Sequence, residues 1–172
     1  MACSNLTGGI LDLCNNGFAG VQTLYIANGP TESFVETAGV VSDIVVAGVS
    51  LVPADFYTFQ LPRQTANLIE TATANQENGT LMFQQDLTVS FNQLEAEKRN
   101  KLLLMLQATS MICVAMDNNG RAWSIGLSLG CYASTATADT GTAYSDRGGY
   151  TITLSGTEKE PMYEVDSAIF LA

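Results

Sequence analysis

The side chains with chemistry to offer are 17 acids, 7 bases and four cysteines, with no histidine anywhere in the 172 residues. Histidine is the side chain most easily tuned to transfer protons near neutrality, and its absence removes the usual serine and cysteine triads and most zinc hydrolases together. Paired carboxylates are the remaining route to acid–base work, since two acids in different surroundings can divide the roles of proton donor and acceptor. Glu70 with Asp86 and Asp146 with Glu158 are the pairs on offer, and Arg147 stands beside Asp146. A chain with this many acids produces such pairs by chance, so solvated surface acids are the expectation, with Arg147 in a loop ion pair. Neither GxxxxGK[ST] nor a GxGxxG between strand and helix is present, so no phosphate cradle is predicted. No catalytic residue, no cofactor-binding residue and no metal ligand is assigned, and the chain is read as a protein other than an enzyme.

Cys3, Cys14, Cys113 and Cys131 contain no CxxC pair, so a zinc site would need four thiolates from scattered positions. Small buried thiols are the better expectation, with Cys3 and Cys14 free to pair in an oxidising medium. Asn5-Leu6-Thr7 and Asn78-Gly79-Thr80 match the glycosylation pattern, which carries meaning only on a secretory route. Met1 to Asn5 lacks the charged and apolar regions of a secretory signal, and no apolar run approaches a membrane span. The chain is read as made in the cytosol, with no membrane partner.

The net charge is −10, and three of the seven bases (Lys98, Arg99, Lys101) fall in one helical turn. No basic stripe exists to neutralise phosphates, so tight DNA binding is not expected. Hydrophobic content of 47% with 14% charged residues predicts one folded domain over 1–172.

The positioning element is a long alternating strand over 79–91 that runs into a helix. Leu81, Phe83, Leu87, Val89 and Phe91 form its apolar row, broken by Gln85, and Gln84, Asp86, Thr88 and Ser90 form a polar row. Asn92 with Glu95 reads as a capping box opening a helix over about 92–109, supported by Glu95–Arg99 and Glu97–Lys101 pairs. Leu102, Leu103, Leu104, Met105 and Leu106 then point to all sides of the cylinder, so the helix needs a covering on both sides, from the sheet and from further core or a second subunit.

Elsewhere, strands are predicted at 21–27, 56–61, 64–74, 111–116, 122–129 and 150–155, with 40–51 and 162–171 extended. Residues 64–91 read as a large hairpin, and 111–116, apolar on both faces, as a central strand. Asn119-Gly120 supplies a tight hairpin turn. Residues 1–19 read as an arm, and 31–54 and 130–149 as long polar loops. The fold class is mainly β: an antiparallel sandwich or barrel with one flanking helix.

At Asn78-Gly-Thr80, Leu94-Glu-Ala-Glu-Lys-Arg-Asn-Lys101, Asp117-Asn-Asn-Gly120, Gly141-Thr-Ala143, Asp146-Arg-Gly-Gly-Tyr150 and Gly156-Thr-Glu-Lys-Glu-Pro161, the chain resembles virion proteins of tailed phages. It is most similar to small tail tube proteins of phages infecting Bacteroides and Flavobacterium relatives, from about residue 20 onward. The resemblance implies a tail-tube-like β-sandwich with one helix, joined into stacked and usually hexameric rings around a DNA channel. It also implies partners among other tail and connector proteins, and a place in the virion. It carries no catalytic residue. On this expectation Glu70, Glu77, Gln84 and Asp86 line the channel, and Leu102, Leu103, Leu104 and Leu106 lie at subunit interfaces. DNA then passes without specific binding, repelled by acidic walls. The alternatives are a head-to-tail connector, a tail terminator or a capsid decoration protein of a tailed phage. A secreted binding module lacks support, since Trp123 is the sole tryptophan.

Overall fold

A computed structural model describes residues 17–29 and 31–171. Cys3, Cys14, Asn5 and most of the N-terminal arm lie outside the described residues. The chain runs β1 (Val21–Asn28), β2 (Ser33–Thr37), β3 (Val40–Val46), β4 (Val49–Ser50), β5 (Tyr57–Gln60), β6 (Ala66–Asn75), β7 (Thr80–Asn92), α1 (Ala96–Gln107), β8 (Met111–Asp117), β9 (Ala122–Ile125), β10 (Cys131–Asp139), β11 (Gly149–Glu158) and β12 (Glu164–Val165). The fold is mainly β with one α-helix among the described residues. The strand path is β2-β3-β12-β9-β8-β10-β11-β7-β6, with β1 on β8 and β5 on β1, and it does not close into a barrel.

Residues 40–51 are extended as expected, in β3 and β4, while two stretches expected as loop, 33–37 and 131–139, are strands. Within 31–54, β2 and β3 form an antiparallel pair that β4 extends. Their turn places Ala38 and Gly39 at positive φ, so β-branched residues on both sides can continue a ladder. Within 130–149, β10 pairs along β11, with a register shift between Ala133 and Thr135. Cys131 and Ala133 are the inward positions of β10, while Ala136 and Ala138 are exposed, and α1 lies against this strand. The return strand expected over 122–129 ends at Ile125, because Gly126 takes φ +65. The last segment, expected extended, becomes the short β12 and a 3-10 turn over Ser167–Ile169, started by Asp166 accepting from the Ala168 amide.

β8 is buried on both faces, as its unbroken apolar sequence predicts. Met111, Cys113 and Ala115 join one core with Leu24, Ile26, Leu87, Val89, Ile152 and Leu154. Ile112 and Val114 face a second core with Tyr25, Ala27, Val41, Ile44, Phe56 and Phe170. Each large aliphatic side chain buried in these cores stabilises the fold by about 1.5–3 kcal/mol relative to exposure.

Gln85, which broke the apolar row of β7, is only 1% exposed and bridges elements. Its Oε1 accepts from the Gly126 amide at 3.0 Å, and its Nε2 donates to Glu70 Oε1 at 3.1 Å. Glu70 Oε1 also accepts from the Met162 amide at 2.7 Å. Close by in the sheet, Glu158 Oε1 accepts from the amides of Ser128 and Leu129. These carboxylates and the amide are held on backbone donors, and the Gly126 amide would otherwise be buried without a partner.

The helix starts later than expected. Asn92 is the last residue of β7, and Glu95 is the N-cap with extended backbone and no side-chain capping bond. Glu95 pairs with Lys98 at 3.3 Å instead of with Arg99, while Glu97 pairs with Lys101 at 2.8 Å as its spacing predicts. Lys98 also donates to the Asn92 carbonyl at 2.7 Å, tying the helix start to the end of β7. The helix ends at Gln107, and the Ala108 amide caps the Leu104 carbonyl.

Candidate functional site

The alternation of β7 places Gln84, Asp86, Thr88 and Ser90 on the face opposite the core, and the registers carry that face across four strands. Asn67 of β6, Thr88 of β7, Thr153 of β11 and Thr135 of β10 form one row. Ile69, Asp86, Ser155 and Tyr132 form the next, and Thr71, Gln84 and Thr157 the one after. On the other side Ser90, Thr151 and Thr137 continue the surface.

These side chains bond chiefly to one another. Ser155 Oγ donates to Asp86 Oδ1 at 2.6 Å, and the Ser155 and Ser134 hydroxyls lie 3.0 Å apart. Gln84 Nε2 donates to Asp86 Oδ1 at 3.2 Å, and Thr157 Oγ1 donates to Gln84 Oε1 at 2.9 Å. The Thr88 and Thr153 hydroxyls are 3.3 Å apart, those of Ser90 and Thr151 3.0 Å. Arg147 Nη2 donates to Thr151 Oγ1 at 2.8 Å and borders a shallow polar hollow with Gln64, Asn67, Thr88 and Ser90. Cross-strand hydroxyl pairs of this kind contribute to sheet stability as well as to surface character.

The candidate lining residues do not share one face. Gln84 and Asp86 stand on the polar face. Glu70 is opposite Gln85 in the register and so belongs to the core-side face, where its carboxylate holds Gln85 and the Met162 amide. Glu70 therefore does not share a face with Gln84 and Asp86, because residues paired across a ladder point the same way. Glu77 lies in the exposed turn between β6 and β7, where its amide donates to Asn75 Oδ1. Sequence alternation alone predicts the β7 row of this surface, Gln84, Asp86, Thr88 and Ser90. β11 shows the same alternation, but its polar positions gain meaning only from the register with β7, and β10 falls within an expected loop.

The helix divides likewise. Leu102 and Met105 are buried in the first core, so Leu102 leaves the set of interface candidates. Leu104 is 66% exposed, and Leu103 and Leu106 are 43% exposed each. Beside Leu104 an apolar groove of about 720 Å³ opens between α1 and β5, lined by Tyr57, Phe59, Phe91 and Met105 among others.

Neither carboxylate pair comes together. Glu70 and Asp86 are on opposite faces, and Asp146 and Glu158 lie near opposite ends of β11. Asp146 accepts from the amides of Thr142 and Ala143, which hold its pKa below the ordinary carboxylate value. Arg147 does not pair with it; its guanidinium reaches Thr151. Tyr163 donates to Glu160, and that bond, with a smaller effect of burial, pushes its pKa up to about 12. Among the described residues no three His, Cys, Asp or Glu side chains group as a metal site would require, and no helix is long and apolar enough to cross a membrane.

Compared with protein-family models, with curated proteins and with solved structures, the chain gives no match.

Proposed function

We propose that the protein is a structural subunit of a phage tail tube, a β-sandwich with a flanking helix that assembles into stacked rings around a DNA channel. The observation that carries this reading is the polar face spread over β6, β7, β11 and β10. A conduit has to be wetted by water yet must not grip its cargo. Many of the hydroxyls and amides on this face are bonded to one another, and Arg147 at its border spends one guanidinium donor on Thr151. Asp86 at its middle repels phosphates, which occur about every 1.7 Å along duplex DNA. The wall is therefore rich in hydroxyls and amides around Asp86, a less acidic surface than the charge total suggests. Most of the chain's acids lie elsewhere, and six copies at −10 each carry −60 per ring.

Assembly has its own support. Among the described residues the outer edges of β6 and β5 have no strand partner, and such edges favour pairing with another chain. Leu104 lines the groove beside Tyr57, and Leu103 and Leu106 are exposed on the same helix, giving apolar surface whose occupant in this reading is a second copy. A contact between two different patches of the same chain closes into a ring when the rotation permits. Electron microscopy of the purified protein tests the role. Hollow rods support a tube subunit, single closed rings favour a terminator or connector, and monodisperse monomers at high concentration contradict assembly through this surface.

A further inference from the structure

Among the described residues, strand pairing joins the two halves of the sheet at one place. β8, with β1, β5, β9, β12 and the β2–β3 pair, forms one half, and β10, β11, β7 and β6 form the other. Among the described residues β8 and β10 share a single paired register, Cys131 with Met111. Two positions along β8 from that pair stands Cys113, whose Sγ is 2.7 Å from the Sγ of Cys131. Both are thiols, Cys113 0% and Cys131 1% exposed. The backbone around Cys131 leaves it little room to move. A Cβ on Gly126 would sit 2.3 Å from the Cys131 amide nitrogen, and one on Gly156 would sit 3.5 Å from the Cys131 Cβ.

We infer that Cys113 and Cys131 are a site of disulfide formation, a covalent clasp across the seam between the two halves of the sheet. The sulfurs already face each other at 2.7 Å, and a bond at about 2.05 Å asks only a short approach. The oxidant is a low-molecular-weight disulfide. A thiolate of one cysteine attacks it and expels one small thiolate, and the second cysteine's thiolate then attacks the mixed disulfide and expels the other. Two protein thiols become one disulfide, and the oxidant is reduced to two thiols. Burial raises the pKa of Cys113, which keeps thiolate scarce in the closed protein. The clasp therefore forms as the chain folds in an oxidising medium, or when the seam opens, and is slow to form in the closed state. This inference does not depend on the tube reading.

The test uses the full chain with Cys3→Ser and Cys14→Ser, refolded from denaturant with oxidised glutathione. The expected product is lighter by about 2 Da, has no titratable thiol after denaturation, and yields a peptide pair joining residues 113 and 131. Its Tm should exceed that of the reduced chain by on the order of 10 °C, and dithiothreitol should remove the difference. Two thiols still titratable after such refolding, a glutathione adduct on either cysteine, or a linkage that leaves Tm unchanged would each overturn the inference.

Discussion

Glu70 and Asp86 stand on neighbouring strands and point to opposite faces of the β6–β7 hairpin, because Glu70 is opposite Gln85 and Asp86 is opposite Ile69. Glu70 holds a buried amide and a backbone donor, whereas Asp86 accepts from Ser155 and Gln84 on the open face. Glu70→Ala leaves those two donors without a partner and should lower unfolding free energy by about 1–3 kcal/mol. Asp86→Asn keeps an acceptor for Ser155 and should cost less than about 1 kcal/mol. Urea unfolding of the two variants checks the assignment, and equal losses would count against opposite faces.

Gly126 should tolerate no side chain. Its φ of +65 disfavours L residues, and a Cβ there would meet the Cys131 backbone nitrogen at 2.3 Å. Relief would require moving the chain at the seam between β8 and β10. Gly126→Ala is expected to cost about 3 kcal/mol or more and to lower the thermal midpoint accordingly. An unchanged melting curve would contradict the close approach.

The two faces of α1 should respond differently. Leu102→Ala removes a buried side chain and should cost about 2–5 kcal/mol by denaturant unfolding. Leu104→Glu changes an exposed position and should leave monomer stability within about 0.5 kcal/mol. In sedimentation velocity the same Leu104→Glu chain should remain monomeric where the wild type assembles. Wild-type assembly by this variant would remove the helix from the interface.

The loop over 140–148 should loosen in acid. The Thr142 and Ala143 amides bind the ionised form of Asp146 and depress its folded pKa, so their support is present above the unfolded carboxylate pKa and is lost as pH falls through the lower folded value. An NMR titration should show the Thr142 and Ala143 amide signals shifting with a midpoint below the usual value near 3.9. A midpoint at or above that value would contradict the bonds.

What could be read from the sequence was what a strand or helix declares by its own period. β7 alternates over most of its length, and β8 is apolar from Met111 to Met116, so both were legible, as was the hairpin over 64–91. β10 was not, since it is exposed over most of its length and is held as a strand by its pairing with β11, a tertiary fact. The cap at Asn92 failed for a similar reason. β7 continues through Asn92 to pair with Gly149, and the ladder holds the residue that local pattern assigns to the helix. Of the candidate site, the row Gln84, Asp86, Thr88 and Ser90 was visible. Its extension through Thr151, Thr153 and Ser155 needed the register, and the inward turn of Glu70 needed to know that Gln85 is buried.

The most direct test of the tube reading is a helical reconstruction of rods assembled from the purified chain, at a resolution that traces β7. The account predicts that Asp86, Thr88 and Thr153 line the inner wall, with Leu104 of each copy covered by its neighbour. Rods in which that face points outward, or in which Leu104 stays exposed, would contradict it.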